Sequence, residues 1–255
     1  EAQKAQEIAR DLSGLVVIEL TKNNFSALAS LPRQTETDGR YADTPKRSPD
    51  DDVLILRTSG STGEPKTVSF TLAKLMRSGA AIGQSLVLSP ADLGISMLPL
   101  HHIGGIACNL IAPLIAGTPM LFCTAFDPKT FFEALVGRQG ASWCYLVPAM
   151  WEMVLEYAQE HPELSHTKTW PRLRAIRSAG SEMPHSLATS LADLFGQHVA
   201  VLSTYGMTEA MPIAAPPFSY QLNRPGSVGR VLPTVSVEIV DPTEGGNLPV
   251  VSDGT

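Results

Sequence analysis

Positive charge is scarce in this chain of 255 residues: 19 lysines and arginines face 25 acids, a formal net charge of −6. A general nucleic-acid binder needs a basic field to displace counterions from phosphate, so that class is set aside. Cysteine is scarcer still. Cys108, Cys123 and Cys144 sit in apolar stretches without C-x-x-C spacing and read as buried free thiols of a reducing compartment. No apolar run is long enough to span a bilayer, and no N-terminal signal pattern is visible. These absences lead to the expectation of a cytoplasmic protein with no membrane span and no nucleic-acid partner. Internal repeats and low-complexity tracts are also missing. What remains is an ordinary globular composition, 44 % apolar, long enough for one large domain or two small ones.

The first residues, 1–12, carry charges and alanines at helical spacing, and residues 15–20 read as a buried strand. Residues 31–52 are polar and rich in Pro, Asp, Arg and Thr, as a loop or linker is. From Val53 onward strands and helices alternate. The pattern predicts strands over 53–57, 94–98, 120–123, 142–147, 174–178 and 199–204. Helices are expected over 71–88, 105–115, 128–138, 148–159 and 184–195, several of them opening on proline. Residues 227–231 and 235–240 read as strands outside that alternation. Such alternation predicts an α/β layered domain with a largely parallel β-sheet flanked by helices.

One stretch carries specific chemistry. After the apolar run Val53-Leu54-Ile55-Leu56 comes Thr58-Ser59-Gly60-Ser61-Thr62-Gly63-Glu64-Pro65-Lys66. A strand that breaks into glycines and hydroxylic residues can turn backbone N–H groups around an anion, and Lys66 adds positive charge. A plain surface turn is the simpler alternative. The Walker A loop is a poor match, because Pro65 stands where its second glycine belongs and offers no N–H to a phosphate.

Two further motifs follow in order, His101-His102-Ile103-Gly104-Gly105 and Tyr205-Gly206-Met207-Thr208-Glu209. With the 58–66 loop they resemble the landmarks of the adenylate-forming superfamily, which comprises acyl-CoA synthetases, firefly-type luciferases and peptide-synthetase adenylation domains. The resemblance runs from about Asp51 to the C-terminus. It implies the acyl-CoA synthetase fold and ATP-dependent activation of a carboxylic acid to an acyl-adenylate, with Mg²⁺ and a thiol acceptor, coenzyme A or phosphopantetheine. In that chemistry the substrate oxygen attacks, so the protein positions and stabilises rather than supplying a nucleophile.

The resemblance also implies roles. Thr58, Ser59, Gly60, Ser61, Thr62, Gly63 and Lys66 would embrace the β- and γ-phosphates. Thr208 would hydrogen-bond the α-phosphate and Glu209 would hold Mg²⁺, although an isolated glutamate is as readily a solvated or capping acid. Tyr205 would stack on adenine, with Gly180, Ser181 and Glu182 across the base; a tyrosine after an apolar strand can equally be core. His102 would abut the acyl carboxylate above a floor of Gly104 and Gly105. Adjacent histidines on an extended segment point to opposite faces, and no Cys or His lies at zinc-ligand spacing. Ile106, Trp143, Val147, Ser178, Gly206, Met207 and Met211 are candidate pocket walls or simply core.

Amino-acid-activating relatives place an aspartate near the segment Leu98-Pro99-Leu100-His101-His102, yet no acid occurs between Gly94 and Thr124. An α-ammonium would lie unpaired there, so the expected substrate is an acid without an α-amine. The Arg57-Thr58-Ser59-Gly60, Leu173–Ser178 and Arg224–Gly229 segments resemble oxalate–CoA and 4-coumarate–CoA ligases. Ala210-Met211-Pro212 departs from the oxalate pattern, which leaves a fatty or aryl acid at least as well supported. Relatives continue past Thr255 into a ribose-binding aspartate, a hinge and a lid with a catalytic lysine. The expectation is therefore a leading segment at 1–50, the core of the ATP- and acyl-binding domain at 51–255, and no lid, with weak activity for the chain alone. Two alternatives are carried: a loading module that passes its acyl group to a carrier protein, and a non-catalytic nucleotide-binding module of the same fold.

Overall fold

The computed structural model describes residues 48–58, 65–136, 140–165 and 170–240. The elements expected over 1–12 and 15–20 lie outside them. Five strands form a parallel sheet: β3 (Gly94–Ser96), β4 (Met120–Phe122), β5 (Trp143–Leu146), β6 (Ala175–Ser178) and β7 (Ala200–Ser203), in the order β4-β3-β5-β6-β7. Register runs residue by residue, Cys144 beside Ile176 and Ile176 beside Val201. Both faces of a parallel sheet must be covered, and the alternation of side chains divides the core accordingly. Cys144, Leu146, Ile176 and Val201 point to one side. There they pack on α4 (Pro128–Leu135), α5 (Pro148–Glu160) and α6 (His185–Phe195) around Phe131, Trp151 and Phe195. Trp143, Tyr145, Ala175 and Leu202 point to the other side, against α1 (Leu72–Ser85) and a helical run from 103 to 116.

Local chemistry sets the helix ends. Thr71 caps α1 by accepting the Lys74 N–H at 3.2 Å, and Asp127 caps α4 by accepting that of Thr130 at 2.9 Å, satisfying amides that have no intrahelical partner. Pro128 and Pro148 occupy first turns, where a missing N–H costs nothing. The 103–116 run is α2 (Ile103–Ile106), a π-helical turn (Ala107–Ile111) and α3 (Ala112–Ala116), closed by Gly117 at φ 67°. It begins two residues before the expected start at Gly105.

Three expectations are corrected. The 53–57 strand, β1 (Asp52–Arg57), is not part of the parallel sheet; it pairs antiparallel with β2 (Thr67–Thr71). The short connection at 58–66 cannot make a parallel crossover, which needs a dozen residues or more. Tyr205 does not simply end the last parallel strand. It opens β8 (Tyr205–Met207), which turns back into β9 (Ala210–Ala215), a hairpin the alternation did not reveal. Of the late strands expected at 227–231 and 235–240, the described residues show β10 (Arg230–Val231) paired with β9 and a single bridge at Val240. Glycines at 226 and 229 with φ of 74° and 84° break the extended run before β10.

Candidate active site

Ligands in open α/β sheets gather beyond the carboxyl ends of the strands, and here four of those ends open on one cleft of about 330 Å³. Leu98 and Pro99 follow β3, Val147 follows β5, Ala179 and Gly180 follow β6, and Gly206 to Thr208 lie beyond β7. His102 to Gly105 and Met211 complete the lining with Tyr145. Two further hollows adjoin it. One, about 430 Å³, lies between the β1–β2 hairpin and the histidines and shares His102, Ile103 and Thr208 with the central cleft. The other, about 310 Å³, runs along Gly180–Met183 and Ser203–Gly206 and shares Gly180 and Gly206. Together they make a groove with three compartments.

Each sequence motif supplies one stretch of that groove. Thr58 and Pro65 line the hairpin compartment together with Thr208. The Thr58 N–H donates to the Lys66 carbonyl at 2.8 Å and the Lys66 N–H donates to Thr58 Oγ1 at 3.3 Å, so the loop's two ends are pinned together. The Lys66 side chain is exposed. Ser59, Gly60, Ser61, Thr62 and Gly63 lie outside the described residues. Thr208 and half-buried Glu209 form the two-residue turn between β8 and β9. Tyr205 is 49 % exposed and lines the third compartment opposite Gly180, Ser181 and Glu182, so it is not a core residue. Gly180 takes φ 99°, a value that disfavours side chains, and a Cβ there would come within 3.3 Å of Val147 Cγ1.

Several expected wall residues sit elsewhere. Trp143 is fully buried in the helix-side core and Ser178 is 2 % exposed, neither of them on the cleft. Ile106 packs against the same core one helical turn beyond the lining residue His102. Val147, Gly206, Met207 and Met211 do line the cleft, as does Gly104. The histidines are also corrected. His101 lies in a turn, in which the His102 N–H donates to the Pro99 carbonyl at 3.4 Å, while His102 itself is extended at φ −107° and ψ 145°; the two rings meet at 4.3 Å, tilted by 50°, and both border the hairpin compartment.

Tyr145 was missed. It belongs to a continuous apolar run, Trp143–Leu146, whose pattern cannot distinguish a wall from core. Its hydroxyl reaches the cleft because residue 104 is glycine: a Cβ there would lie 2.7 Å from Tyr145 Oη. Burial, and to a lesser degree the nearby Cys108 thiol, pushes its ionisation well up, against a smaller pull from Arg177, so the phenol stays neutral. Burial likewise pushes Cys108 up to about 11 and raises Cys144, while half-buried Cys123 is raised by burial and by Asp127. None of the three is a ready nucleophile. Among the described residues no helix is long and apolar enough to cross a membrane.

A parallel sheet with helices on both faces, and a compartmented groove at its strand ends, defines an α/β ligand-binding domain. The chain belongs to the AMP-binding enzyme family, which it matches over residues 1–255. It is 33 % identical over 205 residues to a sulfoacetate–CoA ligase of Cupriavidus necator, covering 79 % of this chain and 38 % of that protein. It is 33 % identical over 186 residues to an oxalate–CoA ligase of Arabidopsis thaliana, covering 71 % and 35 %. Among solved structures it resembles ATP-bound MatB from Rhodopseudomonas palustris at 29 % identity and a TM-score of 0.72, covering 81 % of this chain and 39 % of that one. The chain thus spans under two fifths of the length of these relatives.

Proposed function

We propose that this chain forms the nucleotide- and acyl-binding groove of an AMP-forming acid–CoA ligase. One observation carries the reading: three compartments, joined through His102, Thr208, Gly180 and Gly206, meet at the strand ends. A triphosphate suits the hairpin compartment, where Thr58 and the histidines supply hydrogen-bonding groups and Arg57 supplies positive charge. The base suits the third, where the exposed Tyr205 ring can stack on it. The acyl group then occupies the central cleft, with its carboxylate beside His102 and Thr208. Its oxygen attacks the α-phosphorus, pyrophosphate leaves, and a mixed anhydride forms. The sulfur of coenzyme A then attacks the acyl carbon and AMP departs. Orientation and charge neutralisation are what the protein contributes.

The donor set suits magnesium. Among the described residues no three His, Cys, Asp or Glu side chains cluster to cage an ion. Glu209 stands next to Thr208 in the turn, and one carboxylate completed by phosphate oxygens and water is how Mg²⁺ is commonly held. The ion would neutralise charge developing on the phosphates. Among the described residues no carboxylate lines the central cleft, so an α-ammonium would find no partner among them, which supports an acid without an α-amine.

The test is acid-dependent pyrophosphate release with hydroxylamine trapping of the acyl group, measured on the natural polypeptide that carries these residues. Pyrophosphate and hydroxamate in equal amounts are expected. Release of inorganic phosphate instead, or clear preference for a proteinogenic amino acid, overturns the reading.

A further inference from the structure

Resting on that ligase reading, we infer that the acyl cleft selects a carboxylic acid with a short uncharged tail, whose hydrogen-bond acceptor faces Tyr145. Among the described residues no lysine or arginine lines the central cleft, and the basic side chain there is His102, at the border shared with the hairpin compartment. That border is where the reacting carboxylate and the phosphates compete for it. Residues 59–64, Ser-Gly-Ser-Thr-Gly-Glu, contain no basic side chain that could reach in.

Arg177 on β6, two residues before the lining residue Ala179, is a buried cation, 1 % exposed. Its Nη1 donates to Ser85 Oγ on α1 at 3.0 Å, its buried Nε has no hydrogen-bond partner among the described residues, and it does not line the cleft, where its charge is felt from behind Tyr145. A second acidic group on the substrate would therefore be desolvated with no described cation in direct contact, an unfavourable arrangement. Sulfoacetate and oxalate both carry two acidic groups. The cleft of this chain is not built for such an acid.

Tyr145 then supplies the positive half of the selection. It is 3 % exposed, its hydroxyl sits on the cleft floor at Gly104, and it makes no hydrogen bond to any described residue. Ile103, Val147, Ala179, Met207 and Met211 around it are apolar. A neutral donor surrounded by methyl and methylene groups favours a tail that brings an acceptor and penalises one that leaves the hydroxyl dry. Tyr145 is thus a specificity-determining residue rather than a participant in the chemistry.

Three acids of matched size separate the possibilities: butanoate, 3-oxobutanoate and malonate, the last two differing only by methyl against charged oxygen at one end. With the natural polypeptide, and without hydroxylamine because it would convert the ketone to an oxime, kcat/KM for acid-dependent pyrophosphate release is expected to be at least about tenfold higher for 3-oxobutanoate than for malonate. It should also exceed that for butanoate several-fold, and Tyr145→Phe should bring these last two together while KM for ATP stays unchanged. Because each comparison is a ratio within one protein, partial misfolding of the variant cancels. Malonate or sulfoacetate equalling 3-oxobutanoate overturns the exclusion of diacids, and an unchanged ratio in Tyr145→Phe overturns the role of the phenol. Activation of no acid at all overturns the ligase reading beneath both.

Discussion

Glu209 is held in a turn of two residues, and no basic side chain among the described residues forms an ion pair with it. Its carboxylate is therefore available to a cation brought by the nucleotide. Glu209→Gln keeps the shape and removes the charge; the expected result is a loss of about a hundredfold or more in adenylation rate, with native circular dichroism. An unchanged rate at saturating magnesium would refute the assignment. At this scale the sequence spoke through motifs and fell silent on direction. Tyr-Gly-Met-Thr-Glu marked Tyr205 as a ligand candidate, and its ring is indeed open to the groove. Trp143 and Tyr145 belong to one apolar run and point the same way. Only the packing of Gly104 under Tyr145 shows which of the two borders the cleft.

Among elements, the parallel strands and their helices were legible to within a few residues because hydrophobic period and proline placement agree. The two hairpins were not. β1 and β2 read alike whether they pair with each other or enter a larger sheet, and β9 contains Pro212 and three alanines, a weak strand signal. Cohesion between elements rests partly on Asp92, just before β3. It accepts Arg174 Nε at 2.6 Å, Arg174 Nη2 at 2.9 Å and Ser142 Oγ at 2.8 Å, tying the starts of β3, β5 and β6. Burial alone would raise its pKa, but these bonds, the Arg174 charge and Ser89 outweigh that, and the net shift is downward from 3.8. A carboxyl depressed on folding stabilises the native state above its unfolded pKa, and that contribution fades as pH falls below about 3.8 towards the folded value. Asp92→Asn is expected to lower stability by about 2 kcal/mol at pH 7. The gap from wild type should shrink in urea titrations carried out at progressively lower pH below 3.8; a constant gap would count against the ion pair.

Across the whole molecule, the sheet separates two apolar layers, and the groove lies along one rim of both. Trp151 lies in the layer formed by α4, α5 and α6, its ring 5.7 Å from Phe131 and 6.3 Å from Phe195, edge to face. Trp151→Ala should cost about 3–5 kcal/mol in urea unfolding, while the ratio of kcat/KM between 3-oxobutanoate and butanoate stays at the wild-type value. A changed ratio would mean that this layer also shapes the groove.

Thr204 joins the parallel sheet to the β8–β9 hairpin, and both its N–H (2.9 Å) and its hydroxyl (3.1 Å) donate to the carbonyl of Ser178. Gly180 to Glu182 leave that carbonyl in one direction and Tyr205 leaves Thr204 in the other. A single oxygen atom is thus the shared anchor from which both walls of the aromatic slot set out, Gly180 to Glu182 just beyond Ser178 and Tyr205 just beyond Thr204.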